Sequence, residues 1–285
     1  MKRVLLIANH DKPQVAEALR TFRPWLADRA EILADLDTGT EQPIDRPDAE
    51  MAIVLGGDGT IAGLARRVCD LEIPVVGVNF GKLGFMAPFS LEQLQAQWDK
   101  LDGGHFAISQ RVMLEATLAA PDTDQPAFRS LTLNECAVVA GRPFRLIDLE
   151  LTINPDRRRS AGTHFTGDGV IIASPTGSTA YNLSAGGPVV APDVNALVIT
   201  PICPYSLSFR STVVSVEDQI AVHVHRANEG TTLVLDGQIM QPLVAGSYLS
   251  VRAYPKRLQL VKNPETRYWD TLAHKMHWAS QPRFN

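Results

Sequence analysis

A chain of 285 residues with 45% hydrophobic side chains exceeds the usual size of one domain and can build proper cores, so two domains are expected. Its formal net charge of -4 excludes a nucleic-acid partner held by bulk electrostatics, because no face-wide basic excess is available. The one basic run, Arg157-Arg158-Arg159, reads as a solvated loop after Asn154-Pro155, and such a loop could also meet a polyphosphate.

Met1-Lys2-Arg3 opens like a signal peptide, but the apolar run behind it ends at Asn9-His10-Asp11, too early for an h-region. Val4 to Ala8 is instead a short continuous apolar run, as a parallel strand covered on both faces requires. Val15, Leu19, Phe22 and Leu26 then sit four, three and four apart, one apolar stripe for a helix packed on that strand. After a polar stretch with Gly39, Pro43 and Pro47, the strand Met51 to Leu55 leads into Gly56-Gly57-Asp58-Gly59-Thr60 and a helix from Ile61 to Cys69. A further strand follows at Val75 to Asn79. Strand, helix, strand, helix, strand is the pattern of a parallel doubly wound sheet, in which ligands bind beyond the carboxyl ends of the strands. Gly56 to Thr60 and Asn79 to Phe85 both lie at such ends, so one cleft can use them together.

Three glycines around one carboxylate make a strand-to-helix turn. Glycine permits positive φ and close approach, so the amides here could line an anion site at the helix N-terminus. A carboxylate repels phosphate; Asp58 is therefore expected to serve a magnesium ion or an attacking hydroxyl. A tight turn with an N-capping Asp or Thr is the other reading that these five residues leave open.

A helix is expected from about Leu91 to Leu101, ended by Asp102-Gly103-Gly104. The pattern then changes to short β-branched runs at Val112 to Leu118, Leu131 to Val139, Leu146 to Ile153, Val170 to Ala173, Leu197 to Thr200, Thr212 to Val216, Gln219 to Val224, Thr232 to Leu235 and Ser247 to Ala253. That predicts an all-β domain of roughly nine strands, with a boundary near Gly103 and Gly104. The tail from Glu265, with Trp269, Leu272, Ala273, Met276 and Trp278, is again amphipathic and helical, and its apolar stripe is expected to return to the first domain.

Asn134-Glu135 interrupts a strand pattern. Adjacent strand residues point to opposite faces, so one of the two must face a cavity or an edge; a capped or solvated strand edge is equally compatible. Downstream, Gly167-Asp168-Gly169 enters Val170 to Ala173, and the fifteen residues from Ser174 to Pro188 then pack six hydroxyl side chains and three glycines. Such a run supplies neutral donors and acceptors and one aromatic face, which suits ribose hydroxyls and a purine ring. A Ser/Thr-capped helix would explain Thr179 to Ser184 but not the Pro-Thr-Gly-Ser turn before it.

Other familiar chemistries are absent from the sequence: neither a Gly-x-x-x-x-Gly-Lys-Ser/Thr loop nor a Gly-x-Gly-x-x-Gly after a strand occurs. Cys69, Cys136 and Cys203 are isolated and odd in number, which fits neither a disulfide framework nor a zinc site and suggests buried packing in a reducing compartment. His223 and His225 share a strand face and read as exposed or satisfied strand histidines, so no metal ligands are assigned. No segment approaches a membrane span. A cytoplasmic protein without membrane or nucleic-acid partners is the expectation.

These residues resemble the NAD kinases over almost the whole chain. The resemblance rests on Gly56 to Thr60, the Asn134-Glu135 pair, Asp168-Gly169 through Gly187-Pro188, Pro201-Ile202 with Ser206-Leu207-Ser208 and Arg210, Asp236-Gly237-Gln238, and the ending Thr271-Leu272 to His277-Trp278. Diacylglycerol-type lipid kinases and phosphofructokinases carry turns similar to the first motif; Thr-Gly-Ser-Thr-Ala-Tyr joined to Ser-Ala-Gly-Gly-Pro is far more specific.

The resemblance implies transfer of the γ-phosphate of ATP to the 2′-hydroxyl of the adenosine ribose of NAD, giving NADP. It implies an α/β plus all-β fold: a Rossmann-like parallel domain at 1–102, completed by 264–285, and a β-sandwich NAD-binding domain at 103–263. By that analogy Asp58 orients or deprotonates the hydroxyl, while Gly56, Gly57 and Gly59, with Thr60, bring backbone to phosphate. Asn134 and Glu135 would hold NAD by adenine and ribose, Asp168 by a further polar contact. Thr179, Ala180, Tyr181 and Ser184 would line the adenosine pocket, with Thr176 and Asn182 in the same segment, and Gln238 would add a contact. Magnesium or another divalent cation would arrive with ATP, and family members commonly form homodimers or homotetramers through the β domain. Two positions depart from many relatives: Thr166 stands where an arginine is usual, and Pro204-Tyr205-Ser206-Leu207 replaces His-Ser/Thr-Leu, which bears on donor preference. The competing classes are a lipid kinase of the glycine-aspartate group, disfavoured by the hydroxyl-rich run, and a dinucleotide-binding regulator without turnover, disfavoured by Asp58.

Overall fold

The computed structural model describes residues 1–39, 44–81, 84–121, 123, 125–143, 145–156 and 162–276. In chain order it holds β1 (Lys2–Ala8), α1 (Pro13–Ala27), β2 (Ala30–Asp37), β3 (Met51–Leu55), α2 (Asp58–Val68), β4 (Pro74–Val78), α3 (Leu91–Ala96) and α4 (Trp98–Asp102). Then come β5 (Ile108–Ala119), β6 (Pro126–Thr132), β7 (Glu135–Val139), β8 (Ile147–Ile153), β9 (Thr163–Gly167), β10 (Gly169–Ala173) and α5 (Tyr181–Ser184). The remainder is β11 (Ala196–Ile202), β12 (Thr212–Ser215), β13 (Ile220–Arg226), β14 (Thr232–Leu235), β15 (Ile239–Pro242), β16 (Tyr248–Val261) and α6 (Tyr268–Met276).

The chain divides into two compact units, Met1–Gln110 with Leu258–Asn285, and Arg111–Arg257. The sequence had put the division at Gly103-Gly104 and after Asn263; the chain instead passes between units inside β5 and β16, because a strand run carries no turn residues to mark the crossing.

In the first unit the parallel strands lie in the order β2-β1-β3-β4, and the end of β16 adds beside β4 with Gln259 opposite Pro74. Alternation explains the core. Val4, Leu6, Ala8, Met51, Ile53, Leu55, Val76 and Val78 meet Val15, Leu19, Phe22 and Leu26 of α1 and Leu94, Trp98 and Leu101 of α3 and α4. Leu5, Ile7, Ala52 and Val54 point the other way and are as fully buried, which is why these strands read as continuous apolar runs. β1 is followed through α1 by β2 on one side, while β3 is followed by β4 on the other, so the order reverses between β1 and β3. The glycine turn sits at the carboxyl end of β3, at that reversal. β2 escaped the sequence reading because it is a half-exposed edge strand of mixed polarity, and the helix expected over Leu91 to Leu101 breaks at Gln97 into two. The C-terminal helix belongs to this unit, as expected; Trp278 lies outside the described residues.

The second unit is a β-sandwich. One sheet runs β12-β11-β10-β7-β14-β15, all antiparallel; facing it are β13 between β16 and β8, then β9, with β5 paired to β6. Alternate residues of both sheets, among them Leu114, Val138, Leu149, Val170, Leu197, Val222 and Leu233, share one core. Twelve strands, β5 to β16, are present among the described residues against the nine or so expected. The difference arises at tight breaks: Leu131 to Val139 is two strands parted at Leu133-Asn134, and β9 and β15 are short edge strands. The outer face of the six-stranded sheet is covered at Ala137, Ile171, Ala173 and Val198 by Val190 and Ala185 of the hydroxyl-rich segment.

Candidate functional site

The residues singled out by the sequence gather in two clusters, one in each unit. In the first, the Gly56 amide donates to the Val78 carbonyl at 2.8 Å, and the chain turns into α2 with Gly57 as an N-cap that no side chain satisfies. None of Gly56, Gly57 and Gly59 takes a positive φ, so the conformational reason offered for them does not hold. Space is the reason. A Cβ on Gly56 would fall 2.6 Å from the Thr60 hydroxyl, whereas Gly57 and Gly59 face nothing within 4 Å, leaving the first turn of α2 open to an approaching group.

Asp58 does not cap the helix. Its Oδ2 accepts the amide of Phe85 at 2.9 Å, and its Oδ1 accepts those of Met86 at 2.9 Å and Ala87 at 3.3 Å. The ammonium of Lys275 on α6 stands 3.1 Å from Oδ2 and 4.9 Å from the centre of the Phe85 ring. Gly84 makes room, since a Cβ there would collide with the Asp58 carboxylate. Gly84 lay in a run that the sequence had marked; Lys275, 217 residues from Asp58, left no local signal.

In the second unit Leu133-Asn134 is a true break between β6 and β7, and Asp236 fixes it. Its Oδ2 accepts the amide of Leu133 at 2.9 Å, and its Oδ1 those of Asn134 at 2.7 Å and Glu135 at 3.2 Å. Asp236 reaches them from a left-handed conformation, φ 51°, after β14. Opposite, the Ser174 amide donates to the Asn134 carbonyl at 2.8 Å and the Ser174 hydroxyl to that of Leu133 at 2.6 Å. Gly177 packs so tightly on the Asn134 backbone that any Cβ would overlap it. The sequence had taken only Gln238 from the Asp236-Gly237-Gln238 run as a contact; Gln238 is exposed, and the organising residue is Asp236.

The fixed turn buries a titratable side chain. Glu135 is 6% exposed and its Oε2 has no hydrogen-bond partner; Thr176, also 6% exposed, has a hydroxyl without one. Burial, then the charge of Asp236, raises the Glu135 carboxyl to about 8 against the pull of the Tyr181 amide. Burial raises Asp236 too, opposed by the Thr132 hydroxyl and the three amides. With those amides converging on Asp236, the negative charge of the pair resides there and Glu135 is the protonated partner at neutral pH.

Part of the hydroxyl-rich segment is spent on itself. Ser178 is fully buried and donates to the Pro175 carbonyl at 2.7 Å while accepting the Val190 amide at 3.0 Å. Thr179 reaches the Thr176 carbonyl at 3.4 Å. Asn182 is also fully buried: Nδ2 donates to the carbonyls of Ser178 and Pro188, both at 3.1 Å, and Oδ1 accepts the Thr200 hydroxyl at 2.6 Å. It holds the turn, with both amide hydrogens and one lone pair of Oδ1 engaged by the protein. Thr176, Ala180, Tyr181 and Ser184 remain, with Tyr181 41% exposed.

Asp168 stands at the other end of β10. Ala173 pairs with Glu135 and Gly169 with Val139. Asp168 and Glu135 are therefore five strand steps apart, about 16 Å at ~3.3 Å per residue. Tyr181 lies between them, its phenol raised by burial and then by the charges of Cys203, Asp168 and Glu135. The Cys203 thiol, raised chiefly by its hydrogen bond to Asp168, is exposed, which corrects the expectation of three buried cysteines; Cys69 and Cys136 are buried. At the two departures, the Thr166 hydroxyl donates to Asp148 at 2.6 Å, and Tyr205 is 82% exposed. No helix among the described residues is long and apolar enough to cross a membrane.

Comparison with known proteins gives a consistent result. The ATP-NAD kinase N-terminal domain matches residues 31–106 and the ATP-NAD kinase C-terminal domain residues 133–263. An NAD kinase of Syntrophotalea carbinolica is 36% identical over 99% of this chain and 100% of its own, and one of Rhodopirellula baltica is 34% identical over 98% and 88%. Among solved structures, yeast NADH kinase complexed with NADH superposes with a TM-score of 0.85 at 24% identity, covering 100% of this chain and 90% of that one. An Archaeoglobus fulgidus NAD kinase in complex with ATP gives 0.73 at 24% identity, covering 96% and 98%.

Proposed function

The chain belongs to the ATP-NAD kinase family and phosphorylates NAD to NADP, and from that premise we propose how its two clusters divide the work. The observation that carries the reading is that two buried polar atoms of the second unit's cluster, Glu135 Oε2 and Thr176 Oγ1, have no hydrogen-bond partner in the protein. An unmet buried polar group costs about 1–3 kcal/mol, which a ligand hydroxyl meeting it recovers. A protonated Glu135 both donates and accepts, as a ribose diol requires of its partner. Asn134, held beside it, adds an amide; Ala180, Tyr181 and Ser184, with Thr179, line the adenosine. Asp168, about 16 Å along the strand pair, is placed for the far part of a molecule as long as a dinucleotide. Gln238 contributes from the exposed turn. The second unit is on this reading the NAD-binding domain.

The first unit handles phosphate at the glycine turn that begins α2, where Gly57 and Gly59 leave room for an approaching group. The γ-phosphorus of ATP bonds to the ribose 2′-oxygen, its bond to ADP breaks, and the hydroxyl proton passes to Asp58 as it becomes acidic in the transition state. Oδ2 is the oxygen for this, because its Lys275 partner is a side chain able to move, whereas both donors on Oδ1 are backbone amides. The donor set around Asp58 does not fit a resident cation, since each oxygen already accepts two donors. Magnesium is accordingly part of the nucleotide substrate, MgATP. A cytoplasmic location and a homodimer or homotetramer complete the proposal, the latter to be measured by light scattering.

Incubation of the purified protein with NAD, ATP and magnesium, read with an NADP-specific dehydrogenase, tests this reading. NADP should form, and Asp58→Asn should lower the rate at least about a hundredfold while NAD still raises the melting temperature. Thermal stabilisation by NAD without NADP formation by the wild type would replace the kinase by a binding-only regulator.

A further inference from the structure

The densest group of metal-ligating side chains among the described residues belongs to neither cluster. It lies on the face of the second unit's sheet opposite the core. Along β8, β9 and β13 the alternate residues Leu149, Leu151, Phe165, Val222 and Val224 enter the sandwich, so Glu150, His164 and His223 point away from it. Register puts the three in one row across three strands, His223 opposite Glu150 and Glu150 opposite His164.

A fourth side chain joins the row by a local irregularity. The pairing of β13 with β8 slips between Val224 and Arg226, so His225 is the extra residue of a bulge. A bulge re-aims a side chain. Here His225 Nε2 comes 2.8 Å from Glu150 Oε2, with the His164 Nε2 at 3.4 Å from the same oxygen. The rings of His223 and His225 are 4.3 Å apart, and those of His164 and His225 are 4.8 Å apart. Gly162 clears the other side, since a Cβ there would strike the Glu150 carboxylate.

We propose that Glu150, His223 and His225, with His164 as the fourth ligand, form a binding site for a late first-row divalent cation, Zn2+ before the others. One donor atom from each of the first three already lies within 4.8 Å of the others. Ligand atoms bound tetrahedrally at ~2.0–2.1 Å stand about 3.4 Å apart, so shifts of roughly an ångström bring these three together, and the exposed His164, its Nε2 3.4 Å from Glu150 Oε2, turns in to complete the set. Imidazole nitrogen with a single carboxylate oxygen is a borderline donor set, suited to zinc, cobalt or nickel and poorly suited to magnesium. The bound ion joins β8, β9 and β13, and it uses no residue assigned above to NAD or ATP. The pair of strand histidines carried no metal signal in the sequence because the partners that complete it are 59 to 75 residues away on other strands.

The test uses the full chain, stripped with a chelator and exchanged into chelator-free buffer at pH 7.5. Titration calorimetry with Zn2+ should show one equivalent bound at micromolar affinity or better, with a rise in melting temperature, and millimolar Mg2+ should neither bind there nor compete. His223→Ala/His225→Ala should weaken Zn2+ at least about a hundredfold, and Glu150→Gln about tenfold or more, while NADP formation in excess MgATP stays within twofold. Should the double variant fold poorly, Co2+ added to the wild type decides: a tetrahedral d–d spectrum without a thiolate charge-transfer band is expected, and Zn2+ abolishes it. A thiolate band, binding no tighter than millimolar, or affinity unchanged in the variants would overturn the site.

Discussion

Replacing Glu135 by glutamine tests the electrostatics of the turn between β6 and β7, which is proposed above to hold NAD. The carboxyl titrates near 8 in the folded chain against 4.5 for the free side chain. A raised carboxyl holds its proton in the fold while the unfolded chain has released it, so across that interval folding must take a proton up. Stability contributed by this group is present below the unfolded pKa and is lost as pH rises towards the folded one. Each full pH unit is worth about 1.4 kcal/mol, and integrating from about pH 5.5 to 7.5 gives a loss of about 2.5 kcal/mol. Glutamine keeps the shape and the neutral polar character of the protonated acid but cannot ionise. Titrating groups that do not sense Glu135 behave alike in both proteins and cancel in the difference, so the change reports Glu135 with its partner Asp236.

Urea unfolding of wild type and Glu135→Gln at the two pH values provides the measurement. The variant should gain on the wild type by about 2.5 kcal/mol between the lower and the higher pH, with m unchanged. NAD affinity should follow the same logic: the glutamine retains it within a few fold at neutral pH, whereas Glu135→Ala, which cannot meet a ribose hydroxyl, loses tenfold or more. A stability difference that moves by less than about 0.5 kcal/mol over the interval would show that Glu135 is ionised in the fold, and the assignment of the shared charge to Asp236 would be wrong.

Two further substitutions separate positioning from contact. Gly84→Ala drives a methyl into the Asp58 carboxylate, so it should lower stability by about 1–3 kcal/mol and cut kcat at least tenfold with the melting transition still cooperative; an unchanged kcat would mean that Asp58 need not be held where it is. Asn182→Ala strands the Thr200 hydroxyl, the buried Ser178 carbonyl and the partly buried Pro188 carbonyl and should lower stability by about 2–4 kcal/mol in urea, while KM for NAD stays within about threefold. A large rise in that KM would restore Asn182 to the ligand contacts that its neighbours in the sequence suggested.

What the sequence made legible was periodic or local. The stripe Val15, Leu19, Phe22, Leu26 and the runs at Val4 to Ala8 and Met51 to Leu55 became the core they announced, because burial acts on every second or every third and fourth side chain alike. Edge strands were lost for the converse reason: β2, β9 and β15 bury only part of one face and so carry no clean period. Turn chemistry was legible in kind and misread in cause, since the glycines around Asp58 are small to leave room and not to reach positive φ.

The site shows the same limit more sharply. Hydroxyls counted along Ser174 to Ser184 looked interchangeable, yet Ser174 and Ser178 are consumed by the backbone they fold while Thr176 is left unmet. Only the closure of a turn decides which polar atom is satisfied, and that closure depends on Asp236, 102 residues from Asn134. Asp58 is likewise held by the amides of Phe85, Met86 and Ala87 and met by Lys275, and Glu150 by its histidines, from segments that no window of sequence contains together. A motif therefore names the groups available to a reaction, and long-range partners determine which of them are free to take part. This is why Glu135, buried and lacking a partner for one oxygen, supports the proposed NAD site more strongly than the fifteen-residue run from Ser174 to Pro188.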